Sequence, residues 1–232
     1  MKDEYPMTQS SRPSRPDPAD GADTTRVDPR WRRTREAILR AGQELFGRHH
    51  HSVVSLDELI QLAAISKQSF YNHFTDKDEL VAELLDTARH EFDALASAAN
   101  GDEKDPALRI ATGLSVYAGQ ALENAAHARL LAHLLFENIS ADSQTNSPVV
   151  ADIRLGLDQG RLALYTVETG AAFIIGVGGA LVNRVLLDGD HARAMMSAQQ
   201  FCTLTLRAFG IAPIEADVIA ARAVDRVFRS RS

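Results

Sequence analysis

VSLDELIQLAAISKQSFYNHFTDKDEL, residues 54–80, announces successive helix starts within a short stretch. Ser55 followed three residues later by Glu58 forms a capping box, in which each side chain can serve a backbone N–H of the other end. Leu56, Leu59, Ile60 and Ala63 then supply one short apolar face. The period breaks at Ala64 and Ile65, and Ser66 is the next N-cap, launching a helix over residues 67–74. Asp76 with Glu79 opens a longer helix, which Leu80, Leu84 and Ala88 carry to about residue 99. Two short helices joined by a tight turn make a helix-turn-helix. Phe70 and Phe74, four apart, share a face and can pack the second helix onto its neighbours. Lys67, Gln68, Ser69, Tyr71, Asn72 and His73 point elsewhere. Nearly all can donate hydrogen bonds, which suits a major groove rich in acceptors.

Upstream, Asp28 is a candidate N-cap and Pro29 a first helical residue. Ile38, Leu39, Ala41, Leu45 and Phe46 recur at helical spacing until Gly47. Residues 1–27 hold Pro6, Pro13, Pro16 and Pro18 among polar residues with no hydrophobic period, and read as a flexible tail. Downstream, helices are expected over residues 106–121, 126–136, 149–157, 167–187, 191–209 and 213–228, punctuated by Gly160, Gly189 and Gly210. The β-branched content of residues 161–167 permits a strand, but a lone strand would have no partner. The apolar run at 171–187 is interrupted by Asn183 and Arg184 and is shorter than the ~20 residues of a membrane span. With no signal peptide and a single cysteine, Cys202, the chain reads as a cytoplasmic protein without a disulfide framework or a cysteine zinc site.

The net charge is −6, unevenly spread. Residues 28–77 carry 8 Lys+Arg against 6 Asp+Glu, whereas residues 78–232 carry 13 against 20. A basic head on an acidic body would orient the molecule on a duplex.

The stretch ELFGR at 44–48, together with residues 54–80, resembles the tetracycline-repressor (TetR-like) family of transcriptional regulators. The resemblance rests on a helix-turn-helix closing on Phe70-Tyr71-Asn72-His73-Phe74, with Lys77, Asp78 and Leu80 behind it. It implies an all-α protein with a tail at 1–27, a three-helix DNA-binding head at 28–76, and a helical effector-binding and dimerisation domain at 77–232. By that resemblance Lys67, Gln68, Ser69 and Asn72 are candidates for base contacts. Tyr71, His73, Lys77 and the start of the second helix, Ser55 and Leu56, match positions that hold phosphates. Phosphate contacts fix position, and base-edge contacts carry sequence. The family's usual turn glycine is Ala64 here, at a cost of about 1 kcal/mol if that residue needs positive φ. Ile60 replaces the family's usual small residue between the two helices.

The resemblance also implies double-stranded operator DNA, a small-molecule effector and a homodimer as partners, and a repressor released by its effector. The alternative is a helical binding module without sequence-specific DNA recognition. Arg32, Arg33 and Arg35 either reach the DNA backbone or solvate the first helix. Candidates for the effector pocket are Tyr117, Leu131, Leu134, Phe136 and Phe173, each also readable as ordinary core. Gly176, Gly178 and Gly179 lower helix propensity by about 1 kcal/mol each, which close approach of another helix would offset. That places the dimer contact at about 167–187 and 191–209, with Ala198, Phe201, Leu204 and Leu206; an intrachain core is the other reading. His49, His50 and His51 are adjacent and lack accompanying carboxylates, so no metal is expected. The absence of an HExxH, a phosphate-binding glycine loop or a nucleophile elbow argues against an enzyme, and no cofactor is expected.

Overall fold

The computed structural model describes residues 28–135 and 147–229, and in these residues the chain forms α-helices, one 3-10 turn and no strand. The expected tail at 1–27 and Phe136 lie outside the described residues, as does the side chain of Leu134. The head consists of α1 (Pro29–Arg48), a 3-10 turn (His51–Val53), α2 (Leu56–Ala63) and α3 (Lys67–Tyr71). The body consists of α4 (Lys77–Asn100), α5 (Pro106–Glu123), α6 (Ala125–Leu135), α7 (Ser147–Asp158), α8 (Val167–Asp188), α9 (His191–Ala208) and α10 (Pro213–Phe228). Residues 161–166, where a strand was open, connect α7 to α8 without one.

Local chemistry sets these boundaries. Asp28 accepts from the Arg30 N–H at 2.8 Å and Pro29 occupies the first turn. Ser55 and Glu58 complete their box in both directions, at 3.2 and 2.8 Å. Ser66 caps α3 through the Ser69 N–H, and Asp76 caps α4 through the Glu79 N–H. Glu79 turns back to Thr75, accepting from its N–H and hydroxyl, and these bonds hold its carboxyl below the usual carboxylate range.

Two expectations shift. The third helix ends at Tyr71 rather than at 74, because the His73 N–H bonds back only to Phe70 O and the chain turns there. The first helix runs past Gly47 to Arg48, and Gly47 has a different reason to be there. A Cβ on it would sit 2.8 Å from the carbonyl oxygen of Ala126. Only a glycine lets the end of α1 lie against the start of α6, so this residue joins head to body.

A continuous apolar core runs from Ile38, Phe46, Leu59, Phe70 and Phe74 in the head, through Leu80 and Leu84 of α4, to α5, α8, α9 and α10. The central helix α5 packs against α4, α6, α7, α8, α9 and α10. Ion pairs seal its start: Arg161 binds Asp105 at 2.9 Å and Glu215 at 2.8 Å, and Arg226 binds Glu103 at 3.0 Å. The expectation that the apolar run is too short to cross a membrane does not hold by length: α8 has 22 residues and a window of mean hydropathy 1.8. Half of that window is buried within the fold, as in the core helix of a globular protein.

Candidate nucleic-acid interface and interior cavity

The turn between α2 and α3 is made by Ala64 in the left-handed region, at φ 53° and ψ 45°. The Ala64 N–H reaches the carbonyls of Ile60 and Gln61, so α2 closes tightly and α3 leaves at a steep angle. Phe70 and Phe74 are buried with ring centroids 5.7 Å apart, anchoring one face of α3. The opposite face presents Lys67, Gln68 and Asn72 to solvent, with Tyr71 47% exposed. Gln68 Nε2 donates to Asn72 Oδ1 at 3.3 Å, so these side chains lie along one line. The Ser69 hydroxyl is 2.8 Å from that of Ser66, which places it at the edge of this face.

The residues expected to hold phosphates divide. Tyr71 is free at the surface, and at the start of α2 the Leu56 N–H occupies an N-terminal turn that attracts anions. Ser55 is engaged: its N–H and its hydroxyl both donate to Glu58 Oε2 at 2.8 Å. Lys77 points inward, donating from Nζ to the carbonyls of His51 at 2.7 Å and Val54 at 2.8 Å. His73 packs its ring 4.7 Å from that of Trp31, and burial, then the charge of Arg35, lowers its pKa and favours the neutral imidazole. Lys77 and His73 therefore position the interface from within. Arg35 does likewise: it ion-pairs with Glu83 of α4 and lies over the rings of Phe74 and Trp31. Arg32 and Arg33 stay exposed. His50 bonds Ser52 at 2.8 Å, and among the described residues no cluster of His, Cys, Asp and Glu is arranged to hold a metal.

A second feature lies between α4, α5, α7 and α8. It is a cavity of about 280 Å³, lined on its apolar side by Phe92, Ile110, Leu114, Tyr117, Val149 and Ile174. Phe92 and Tyr117 stack with centroids 3.6 Å apart. Asp93, Ser97, Asn100, Arg109 and Asp152 add polar groups, and Arg109 Nε lies 2.5 Å from Asp152 Oδ1. Of the residues expected here, Tyr117 is in place. Leu131 is buried between α4 and α6, beside a gap of only about 10 Å³. Phe173 is 42% exposed against Phe209, because α8 turns Ile174 inward instead. The polar lining was missed; it comes from separate helices, and only Gly113, a mid-helix glycine, hinted at it.

The glycine-rich helix α8 also departs from expectation. Gly178 faces Leu114 and Tyr117 of its own chain at 3.9 Å, whereas Gly176 faces open space. Ala198 and Leu206 are buried in the chain's own core, and Leu204 is exposed.

Comparison with known proteins agrees with this architecture. The family model of the bacterial regulatory proteins, tetR family, matches residues 38–84. The HTH-type transcriptional regulator TtgR of Pseudomonas putida is 35% identical over 74 residues. That alignment covers 32% of this chain and 35% of TtgR, so the chain spans about a third of the length of the curated relative it matches. The crystal structure of a putative tetR family regulator from Shewanella sp. PV-4 superposes with TM-score 0.65 at 17% identity, covering 75% of this chain and 97% of that one. RolR in complex with resorcinol superposes with TM-score 0.55 at 22% identity, covering 83% of this chain and 95% of RolR. Residues 38–84 are thus the helix-turn-helix segment of the TetR family, carried on a chain whose whole fold is TetR-like.

Proposed function

We propose that this protein is a dimeric, cytoplasmic transcriptional regulator that binds operator DNA through α3 and is released by a small molecule held in the cavity. The observation that carries the reading is the free polar face of α3, with Lys67, Gln68, Tyr71 and Asn72 exposed opposite two fully anchored phenylalanines. In this reading Lys67, Gln68, Ser69 and Asn72 read base edges, while Tyr71 and the N-terminal turn of α2 hold phosphates. The matching family segment and the regulator TtgR support DNA binding.

Dimerisation is supported by exposed apolar side chains: Met196 and Leu204 on α9, continued by Ile214 and Val218 on α10. This extends the expected contact from α8 and α9 onto α10. Two heads so joined would meet half-sites about one helical turn apart, roughly 34–36 Å. The cavity is walled partly by α4, which begins beside the head and pairs with α1 through Arg35 and Glu83. A ligand that shifts α4 would alter the spacing of the heads without touching the reading residues. The likeness to RolR, solved with resorcinol, supports a small-molecule effector.

The test is fluorescence anisotropy of the full-length protein with the duplex upstream of its own coding sequence, across a range of salt. Saturable binding that weakens with salt, and weakens further in Tyr71→Phe at every sequence, is expected. Binding no tighter than to unrelated DNA would leave the alternative, a helical interaction module.

A further inference from the structure

The cavity's own chemistry constrains what it can hold, given its reading as the effector site. Its apolar side is broad and partly aromatic, from Phe92 and Tyr117 to Ile174. Gly113 sits in mid-α5 on the cavity wall, and a Cβ there would meet nothing within 4 Å. A glycine inside a helix lowers its stability by about 1 kcal/mol relative to alanine. What it leaves here is open space beside the stacked rings. The volume, about 280 Å³, lies at the small end of ligand sites, which run from about 300 Å³ upward.

The polar side is short of donors. Asn100 is only 7% exposed, and its Oδ1 has no hydrogen-bond partner among the described residues while its Nδ2 donates to Arg109 O at 3.4 Å. A buried acceptor left bare is costly, so a ligand donor placed there would gain that whole term. The Asp93 carboxyl also faces the cavity, and burial raises its pKa, which marks it as short of hydrogen bonds to its charged form.

The charges around the cavity cancel. Asp152 is neutralised by Arg109. Asp93 lies one turn along α4 from Arg89, a guanidinium only 6% exposed whose Nε and Nη2 have no partner among the described residues. A carboxylate ligand would meet two carboxylates at the polar side. An ammonium would draw Asp93 away from Arg89 and leave that cation uncompensated in the interior. A neutral donor disturbs neither pair.

We propose that the cavity takes a compact, uncharged, ring-bearing molecule whose hydroxyl groups donate hydrogen bonds to Asn100 Oδ1 and the Asp93 carboxyl. The ring lies in the slot left by Gly113, against Phe92 and Tyr117.

The experiment is titration calorimetry of the full-length protein with four probes of one skeleton: naphthol, naphthoate, naphthylmethylammonium and naphthalene. Naphthol binds tightest, by about tenfold over naphthalene, the yield of one hydrogen bond to a buried acceptor. Asn100→Leu, and separately Asp93→Leu, erase that advantage while naphthalene binds as before; either variant suffices should the other fail to fold. Gly113→Leu abolishes binding of every probe. Naphthoate or the ammonium binding as tightly as naphthol overturns the inference while leaving the cavity as a ligand site. Failure of all four to bind, or binding untouched by Gly113→Leu, overturns the inference together with the effector reading. Duplex binding measured on the same samples shows separately whether the DNA reading stands.

Discussion

Lys77 distinguishes an interface built from within from one built by surface charge. It opens α4, and its ammonium reaches back to the carbonyls of His51 and Val54 at 2.7 and 2.8 Å, at the turn that leads into α2. Those bonds fix where α2 starts, and through the Ala64 turn they fix the angle of α3. In Lys77→Met the stem survives and the two bonds are lost. A hydrogen bond to a charged group contributes about 1.5–3 kcal/mol, and the site is only half-buried, so water recovers part. A net loss of about 2 kcal/mol follows, which for a chain of this size lowers Tm by about 4–8 °C. Binding to DNA weakens at every sequence, because α3 is no longer held at its angle. The slope of log K against log salt stays the same, since no phosphate contact is removed; losing one would reduce it by about 0.9. Thermal denaturation and anisotropy over a salt series measure both. An unchanged Tm with a slope reduced by about 0.9 would refute this reasoning and show that Lys77 leaves its carbonyls to reach a phosphate.

Ala64→Gly relieves the left-handed strain at φ 53°, about 1–2 kcal/mol, less the added backbone entropy of glycine; a net gain of about 0.5–1 kcal/mol in urea unfolding is expected with DNA affinity unchanged. Gly47→Ala forces a Cβ against the Ala126 carbonyl and costs about 1–3 kcal/mol, seen as a lower Tm; an unchanged Tm would mean that α1 and α6 do not pack so closely. His73 is held neutral by burial and by Arg35, so its folded pKa lies below the unfolded value of about 6.5. The unfolded state then binds more protons, and stability falls as pH drops from about 7 through that value. His73→Phe, which keeps the ring against Trp31, should flatten this part of the pH profile of the urea midpoint.

The helix starts were legible because their cause is local. Asp28, Ser55, Ser66 and Asp76 each cap a helix within three residues of themselves, and the pairing can be read from spacing alone. The left-handed turn at Ala64 could be anticipated because helix geometry leaves one residue to reverse the chain. Roles set by distant partners were not legible. Nothing near Lys77 in sequence says that its ammonium will meet carbonyls 23 and 26 residues away. Gly47 reads as a helix stop, and only the arrival of α6 shows it to be a contact. The cavity draws Asp93 and Asn100 from α4, Arg109 from α5 and Asp152 from α7. On each helix these residues look like an ordinary solvent face. Phe173 was chosen for its size, yet the register of α8 sends Ile174 to the cavity instead.

The central claim is that the exposed side of α3 reads a DNA sequence. Selection from a pool of random duplexes, run with the native protein and with Lys67→Ala/Gln68→Ala/Asn72→Ala, measures it most directly. The native protein should enrich a two-fold symmetric site with half-sites about one turn apart. The triple variant should lose that preference while retaining weak, salt-sensitive binding. No enriched site with the native protein, or the same site recovered by the variant, would contradict the account.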